Sequence, residues 1–266
     1  MEYQGKKKNC WQKIDGTNGV IAIISCLLWG GLWVLKPTPL YVPPNDSGSS
    51  FPKDEKNILP TAIMGGVLAA VFVVVFIAAW LLSKFFPKYF ADFNGWTFLW
   101  AFVAAEGISG FTVSIFKNYV GRTRPDLYSI CGSQEINPSD PSTCPGLSAS
   151  EFKDQFRSWP SGHSQTAMSG FVIIAFFVQR IIKSKNLVGT FCGSLFIILA
   201  IWCGATRIRD YKHRPDDVLA GFFVGYIFAQ LVWLQMIGNV FPEEDLGQDN
   251  KDDKSLPDNE NHQYDL

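Results

Sequence analysis

Three short stretches of the sequence combine side chains that suit the binding and cleavage of an oxyanion such as phosphate. They lie at residues 117–125, 160–163 and 207–217. The chain has three histidines, and two of them, His163 and His213, lie in these stretches. Basic side chains in the same stretches supply the positive charge that an oxyanion needs. The chemistry therefore depends on whether the fold brings the three stretches together.

In the first stretch, Lys117 and Arg124 are seven residues apart, which corresponds to two helical turns. If the preceding helix continues that far, the two cations point the same way and repel each other unless an anion lies between them. Pro125 then ends the helix. For this stretch alone, the alternative is a basic pair that reaches out to the membrane surface.

The second stretch predicts an anion site at the start of a helix. Ser161 is a typical N-cap, and the backbone N–H of Gly162 lies at the positive end of the helix dipole. His163 is in position to donate a proton to a departing oxygen. The alternative is a capped helix with an interfacial histidine.

In the third stretch, Pro215 suits the first turn of a helix, so that Asp217 reaches back towards His213. A carboxylate on one imidazole nitrogen fixes the tautomer and leaves the other nitrogen free to attack. Arg207 adds a third cation to Lys117 and Arg124. The alternative is a solvated basic loop.

The composition places these stretches in a membrane protein. Hydrophobic residues make up 47% of the chain and charged residues 18%, whereas a soluble domain has about 25% charged residues. Four segments carry no charge: residues 16–35, 58–83, 186–206 and 218–242. Two weaker apolar segments are residues 93–116, which contain Glu106, and residues 164–179. Because a helix needs about 20 apolar residues to cross a bilayer, we predict an all-α protein with six transmembrane helices.

The loops favour one orientation of these six helices. Four lysines lie between residues 6 and 13, before the first helix, and this predicts a cytosolic N-terminus. With six spans the C-terminus is then cytosolic, and the three stretches lie at the lumenal or extracellular ends of helices 3, 4 and 6. We divide the chain into a cytosolic segment (residues 1–15), a membrane domain (16–241) and a disordered acidic cytosolic tail (242–266).

Two further features agree with this orientation. Asn45, in the sequon that ends at Ser47, is a candidate glycosylation site in the first outside loop. Cys131 and Cys144 lie in the long outside loop, where an oxidising compartment permits a disulfide. No spacing of Cys and His residues resembles a metal site.

The three stretches resemble the motifs of the type 2 phosphatidic acid phosphatase superfamily, which includes the lipid phosphate phosphatases. The family pattern is K-x6-R-P, P-S-G-H and S-R-x5-H-x3-D, and the chain matches it in order and spacing over roughly residues 60–240. The one departure is Thr206, where the family has serine; the hydroxyl is kept.

The resemblance implies a metal-independent reaction without a cofactor, in which His213 forms a phosphohistidine. Asp217 would orient His213, and His163 would protonate the leaving group. The implied phosphate ligands are Lys117, Arg124, Ser161, Gly162 and Arg207. The bilayer position of Glu106 predicts an ionic or hydrogen-bonded link within the bundle, with a substrate role as the alternative.

The function expected on this basis is a lipid phosphate phosphatase acting on phosphatidate, diacylglycerol pyrophosphate or lysophosphatidate. A phosphatase for polyprenyl pyrophosphate, sphingoid phosphate or sugar phosphate is a second hypothesis, and an inactive membrane scaffold is a third. We expect a membrane and a lipid phosphate as partners and no nucleic acid, and leave open a homo-oligomer. Both an endomembrane (ER, Golgi or vacuole) and the plasma membrane agree with the sequence.

Overall fold

Helices dominate the computed structural model, which describes residues 9–53, 57–183 and 187–242. The helices of this part are α1 (Cys10–Lys13), α2 (Gly16–Leu32), α3 (Thr61–Phe85), α4 (Gly95–Val120), α5 (Leu127–Cys131), α6 (Ala149–Asp154), α7 (Gly162–Ile181), α8 (Val188–Arg209) and α9 (Pro215–Val240). Two short 3₁₀ turns, Ser47–Ser49 and Pro141–Thr143, lie in the connecting loops. The predicted all-α class is confirmed for the described residues, whereas the tail from residue 243 onwards lies outside them.

Five of the helices are long and apolar enough to cross a membrane: α3, α4, α7, α8 and α9. Each lies within a few residues of a predicted span. The first predicted span corresponds to α2, which has 17 residues. At about 1.5 Å per residue, α2 alone is somewhat shorter than the roughly 30 Å of a bilayer core. The structure therefore supports an integral membrane protein with five such helices, and the count of six remains a prediction.

Helix α7 lies at the centre of the bundle. It packs against α8, α9, α4 and α3, and α2 packs on the outer side of α4. Small residues allow the closest approach: a Cβ atom at Gly225 of α9 would lie 2.5 Å from the backbone oxygen of Gln165 in α7. Because membrane helices associate by close packing, such small residues bring the backbones together. The N-terminal ends of α7 and α9 are joined directly, since Ser161 N donates to Asp217 O at 2.8 Å.

The loops that follow α3 and α7 meet at the opposite end of the bundle. Ala91 N donates to Ile181 O at 2.8 Å, and Lys183 N donates to Tyr89 O at the same distance. At this end Asn94 N also donates to Val240 O at 2.8 Å. These bonds tie together the ends of α3, α4, α7 and α9, so that the three motif stretches share the other end.

Candidate active site

Helix α4 ends before it reaches Arg124. Gly121 follows the last helical residue with φ of 62°, and its backbone lies against Thr38, so that a Cβ atom there would overlap the Thr38 carbonyl. A left-handed glycine is a common way to end a helix. The expectation that Lys117 and Arg124 lie two turns apart on one helix is therefore wrong. They are brought together by the loop that follows α4, and both line the same cavity.

The second stretch forms the start of α7 as predicted. Ser161 is the N-cap, and its Oγ accepts from Ser164 N at 3.4 Å. Gly162 and His163 follow in the first turn, where backbone N–H groups have no partner within the helix. The Nε2 atom of His163 lies 3.4 Å from Thr61 Oγ1 of α3.

The third stretch brings a carboxylate close to an imidazole. Pro215 begins α9, and Asp217 lies in its first turn. The Oδ2 atom of Asp217 is 3.7 Å from His213 Nδ1, which is longer than a hydrogen bond. The same oxygen accepts from Ser158 Oγ at 2.6 Å and from Arg214 N at 2.8 Å. Asp217 is therefore held firmly beside the Nδ1 side of the ring.

His213 is buried, and its surroundings disfavour a charged ring. Burial lowers the pKa of His213 from 6.5 to about 3; Asp217 opposes this shift, and the cations Arg124 and Lys117 add to it. His213 is therefore a neutral imidazole at neutral pH, which is the form that a nucleophile requires.

These groups meet at a cavity of about 470 Å³. Its polar end is lined by Lys117, Arg124, Asp154, Gly162, His163 and His213. The rest of the lining includes apolar side chains of α2, α3 and α4, among them Trp29, Met64 and Val113, together with four uncharged polar residues: Thr61, Ser114, Gln165 and Thr166. The cavity therefore combines a cationic end with a hydrocarbon-lined wall.

Three predicted site residues lie behind this lining. Ser161, Arg207 and Asp217 are all buried, and none of them is among the lining residues. The Nη2 atom of Arg207 donates to Asp210 Oδ2 at 2.7 Å, and its Nη1 atom donates to Asn57 Oδ1 at 3.0 Å. The hydroxyl of Thr206, where the family pattern has serine, accepts from Arg207 Nε at 3.1 Å.

Four site residues were missed by the sequence reasoning. Ser158 and Arg122 contact Asp217, Arg122 through Nη1 and Oδ1 at 2.8 Å. The backbone oxygen of Arg157 accepts from Lys117 Nζ at 2.6 Å. Asp154 pairs with Arg124. All four lie in the segment that connects α4 and α7, Asp154 at the end of the short helix α6 and the others in loops, and nothing in one sequence distinguishes them from their neighbours.

Glu106 is in the bundle interior, and its Oε1 atom accepts from Ser169 Oγ of α7 at 2.7 Å. This contact is a hydrogen-bonded link of the predicted kind. Outside the bundle, Cys131 and Cys144 are joined in a disulfide. Asn45 is exposed in the loop between α2 and α3.

A family model described as the PAP2 superfamily matches residues 98–241, which contain all three motif stretches. This match spans more than half of the chain. The chain therefore belongs to the PAP2 superfamily, and the resemblance stated from the motifs is confirmed.

Curated proteins of three organisms are similar to this chain over about half of its length. Probable diacylglycerol pyrophosphate phosphatase 1 of Schizosaccharomyces pombe is 30% identical over 53% of this chain and 54% of its own length. Lipid phosphate phosphatase 1 of Arabidopsis thaliana is 31% identical over 53% of this chain and 45% of its own. Diacylglycerol pyrophosphate phosphatase 1 of Saccharomyces cerevisiae is 27% identical over 52% and 49%. The chain thus spans about half the length of these relatives, and no solved structure matches it significantly.

Proposed function

We propose that this chain is a metal-independent lipid phosphate phosphatase that works through a phosphohistidine. The observation that carries the proposal is the shared cavity, which His213, His163, Lys117 and Arg124 all line. A neutral imidazole, a second imidazole and two cations at one cavity are the groups that phosphoryl transfer to histidine needs.

In the proposed reaction, His213 Nε2 attacks phosphorus while the bond to the leaving oxygen breaks. Asp217 lies on the Nδ1 side, so it stabilises the positive charge that the ring gains when the N–P bond forms. His163, carrying a proton, gives it to the leaving oxygen. His163 then takes a proton from water, and the resulting hydroxide attacks phosphorus, breaks the N–P bond and releases phosphate with neutral His213.

Fixed cations hold the phosphoryl oxygens during both steps. Lys117 and Arg124 line the cavity, and the N–H of Gly162 lies at the N-terminus of α7. Ser161 and Arg207 belong to the same site in this proposal. They lie behind the residues that line the cavity and support them from there. Positive side chains and a helix terminus supply the charge that a metal ion supplies in other phosphatases.

The apolar wall of the cavity favours a lipid as the carrier of the phosphate. Trp29, Met64 and Val113 offer a hydrocarbon surface next to the cationic end. Two of the relatives named above are called diacylglycerol pyrophosphate phosphatases and one a lipid phosphate phosphatase. Phosphatidate, diacylglycerol pyrophosphate and lysophosphatidate are the substrates that we propose first.

The proposal includes six spans, cytosolic termini and a lumenal or extracellular site in an endomembrane or the plasma membrane. Helix α2 supplies the sixth span. Asn45 and the disulfide between Cys131 and Cys144 lie in the loops that would share the oxidising side with the site.

The substitution His213→Ala tests the reaction. In detergent micelles with a chelator present, we expect the unchanged protein to release phosphate and to trap a labelled phosphoenzyme. The His213→Ala variant should lose both, with turnover lowered at least about a thousandfold. His262→Ala, which changes the remaining histidine of the chain, is the matched control and should keep activity. Substantial chelator-insensitive turnover by His213→Ala would contradict the proposal, and a panel of phosphate esters would identify the preferred lipid.

A further inference from the structure

The cationic end of the cavity already contains a negative charge. Asp154, the last residue of α6, is the acidic residue among the described residues that line the cavity. Asp210 and Asp217 lie behind the lining and are fully buried. The side chain of Asp154 is 38% exposed, so its carboxylate is accessible from the cavity.

The contacts of Arg124 separate two effects of Asp154. Arg124 Nε donates to the backbone oxygen of Asp154 at 3.0 Å, and Arg124 N donates to Gln155 O at 2.8 Å. These two bonds place the arginine without the carboxylate. The carboxylate adds a third contact, from Arg124 Nη2 to Oδ2 at 2.6 Å. The Asp154 carboxylate is therefore not needed to place Arg124, and its main contribution is its negative charge.

This charge persists at neutral pH. Burial alone would raise the pKa of the Asp154 carboxyl, but Arg124, Lys117 and Arg157 together hold it below its usual value. A phosphate group that enters the cavity meets an ionised carboxylate on the guanidinium that is expected to bind it. The carboxylate and the phosphate repel each other because both are negatively charged, and both accept hydrogen bonds from the same donors.

We propose that Asp154 is a resident counter-anion of the phosphate site and competes with phosphate for Arg124. In the empty site it neutralises a cation that would be costly to leave unpaired. After hydrolysis it returns to Arg124 and favours release of the phosphate product. This inference rests on the proposed function, because it assumes that phosphate binds at Arg124.

Binding of inorganic phosphate tests the competition without any turnover. Calorimetry in detergent would compare the unchanged protein with Asp154→Asn, which keeps an oxygen that accepts from Arg124 but removes the charge. We expect Asp154→Asn to bind phosphate roughly tenfold more tightly, with product inhibition stronger by the same factor. Asp154→Glu keeps the charge and should bind phosphate like the unchanged protein. Glu135→Gln removes an exposed charge elsewhere in the same loop and should also change nothing.

Each outcome decides for or against the competition. Equal or weaker phosphate binding by Asp154→Asn would overturn it and leave Asp154 as a residue that only positions Arg124. If Asp154→Glu bound phosphate as tightly as Asp154→Asn does, the competition would also be overturned, because charge would not be the cause. Asp154→Ser is a second neutral variant for the same comparison if the asparagine variant does not fold. Absence of phosphate binding and inhibition in the unchanged protein would instead contradict the phosphatase site itself.

Discussion

At the scale of single residues, the two ring nitrogens of His213 have different surroundings. On the Nδ1 side, Asp217 lies at 3.7 Å and Ser158 Oγ at 3.5 Å. The ring as a whole contributes to the wall of the cavity. One nitrogen is thus directed to a fixed carboxylate, and the other is available for the substrate. This division supports the proposed role of His213, rather than His163, as the nucleophile.

The depressed pKa of His213 predicts how stability depends on pH. The pKa of this histidine is about 3 in the folded protein and about 6.5 when it is free, so unfolding takes up a proton between these values. Stability is therefore lost as the pH falls from about 6.5 towards 3, by at most about 1.4 kcal/mol per pH unit. His213→Asn lacks this contribution, and its Tm should fall less than that of the unchanged protein between pH 7 and pH 5.

Thermal unfolding in one detergent at both pH values measures this difference. The other titrating groups are common to the two proteins, so they cancel in the comparison. Equal losses of Tm in the two proteins would show that His213 is not held neutral.

At the scale of elements, the sequence predicted the helices well and the loops poorly. The long apolar helices follow from length and composition, and Ser161 and Pro215 mark the starts of α7 and α9 as expected. The end of α4 was predicted wrongly because it depends on the close approach of Gly121 to Thr38, and the spacing of residues along the chain does not reveal that contact. Ser158 and Asp154 were missed because their roles depend on loops that fold back from distant points in the chain.

The end of α4 gives a prediction with an internal control. Gly121 and Gly132 both have positive φ, of 62° and 67°. A Cβ atom at Gly121 would overlap the Thr38 carbonyl, whereas nothing lies within 4 Å of a Cβ atom at Gly132. Gly121→Ala should therefore destabilise the protein by about 1–3 kcal/mol more than Gly132→Ala, because only the former adds crowding to the backbone strain.

Both variants would be compared by Tm and by phosphatase activity. Gly121 lies between Lys117 and Arg124, so activity should fall in the Gly121→Ala variant and remain in Gly132→Ala. Equal behaviour of the two variants would mean that the contact with Thr38 does not fix the end of α4.

At the scale of the whole molecule, the loop between α2 and α3 can be used to determine on which side of the membrane the site lies. Arg214, next to His213, donates through Nη2 to Gly48 O at 2.7 Å, and Ser49 Oγ lies 3.0 Å from Thr123 Oγ1. Asn45 precedes these contacts by a few residues and is exposed. A glycan on Asn45 would therefore mark the same face of the membrane as the cavity.

Expression in eukaryotic cells should give a protein that carries one N-linked glycan. Endoglycosidase treatment should increase its mobility on a gel, and Asn45→Gln should remove this shift. Asn137→Gln is the control, because Asn137 is followed by proline and is not an acceptor. A protein without a glycan, or a shift that persists in Asn45→Gln, would contradict the proposed orientation.

One wall of the cavity, which belongs to α3, has little protein on its outer side. Among the long helices, α3 packs chiefly against α7, and side chains such as Val73, Val74 and Ile77 are exposed on its outer side. The same helix supplies Thr61, Met64 and Gly65 to the cavity wall. Because α3 is long and apolar enough to cross a membrane, we expect lipid to contact the outer side of this wall. We therefore expect membrane thickness and the choice of detergent to affect the position of α3, and with it the fit of the cavity to a substrate, without any change in the amino-acid sequence.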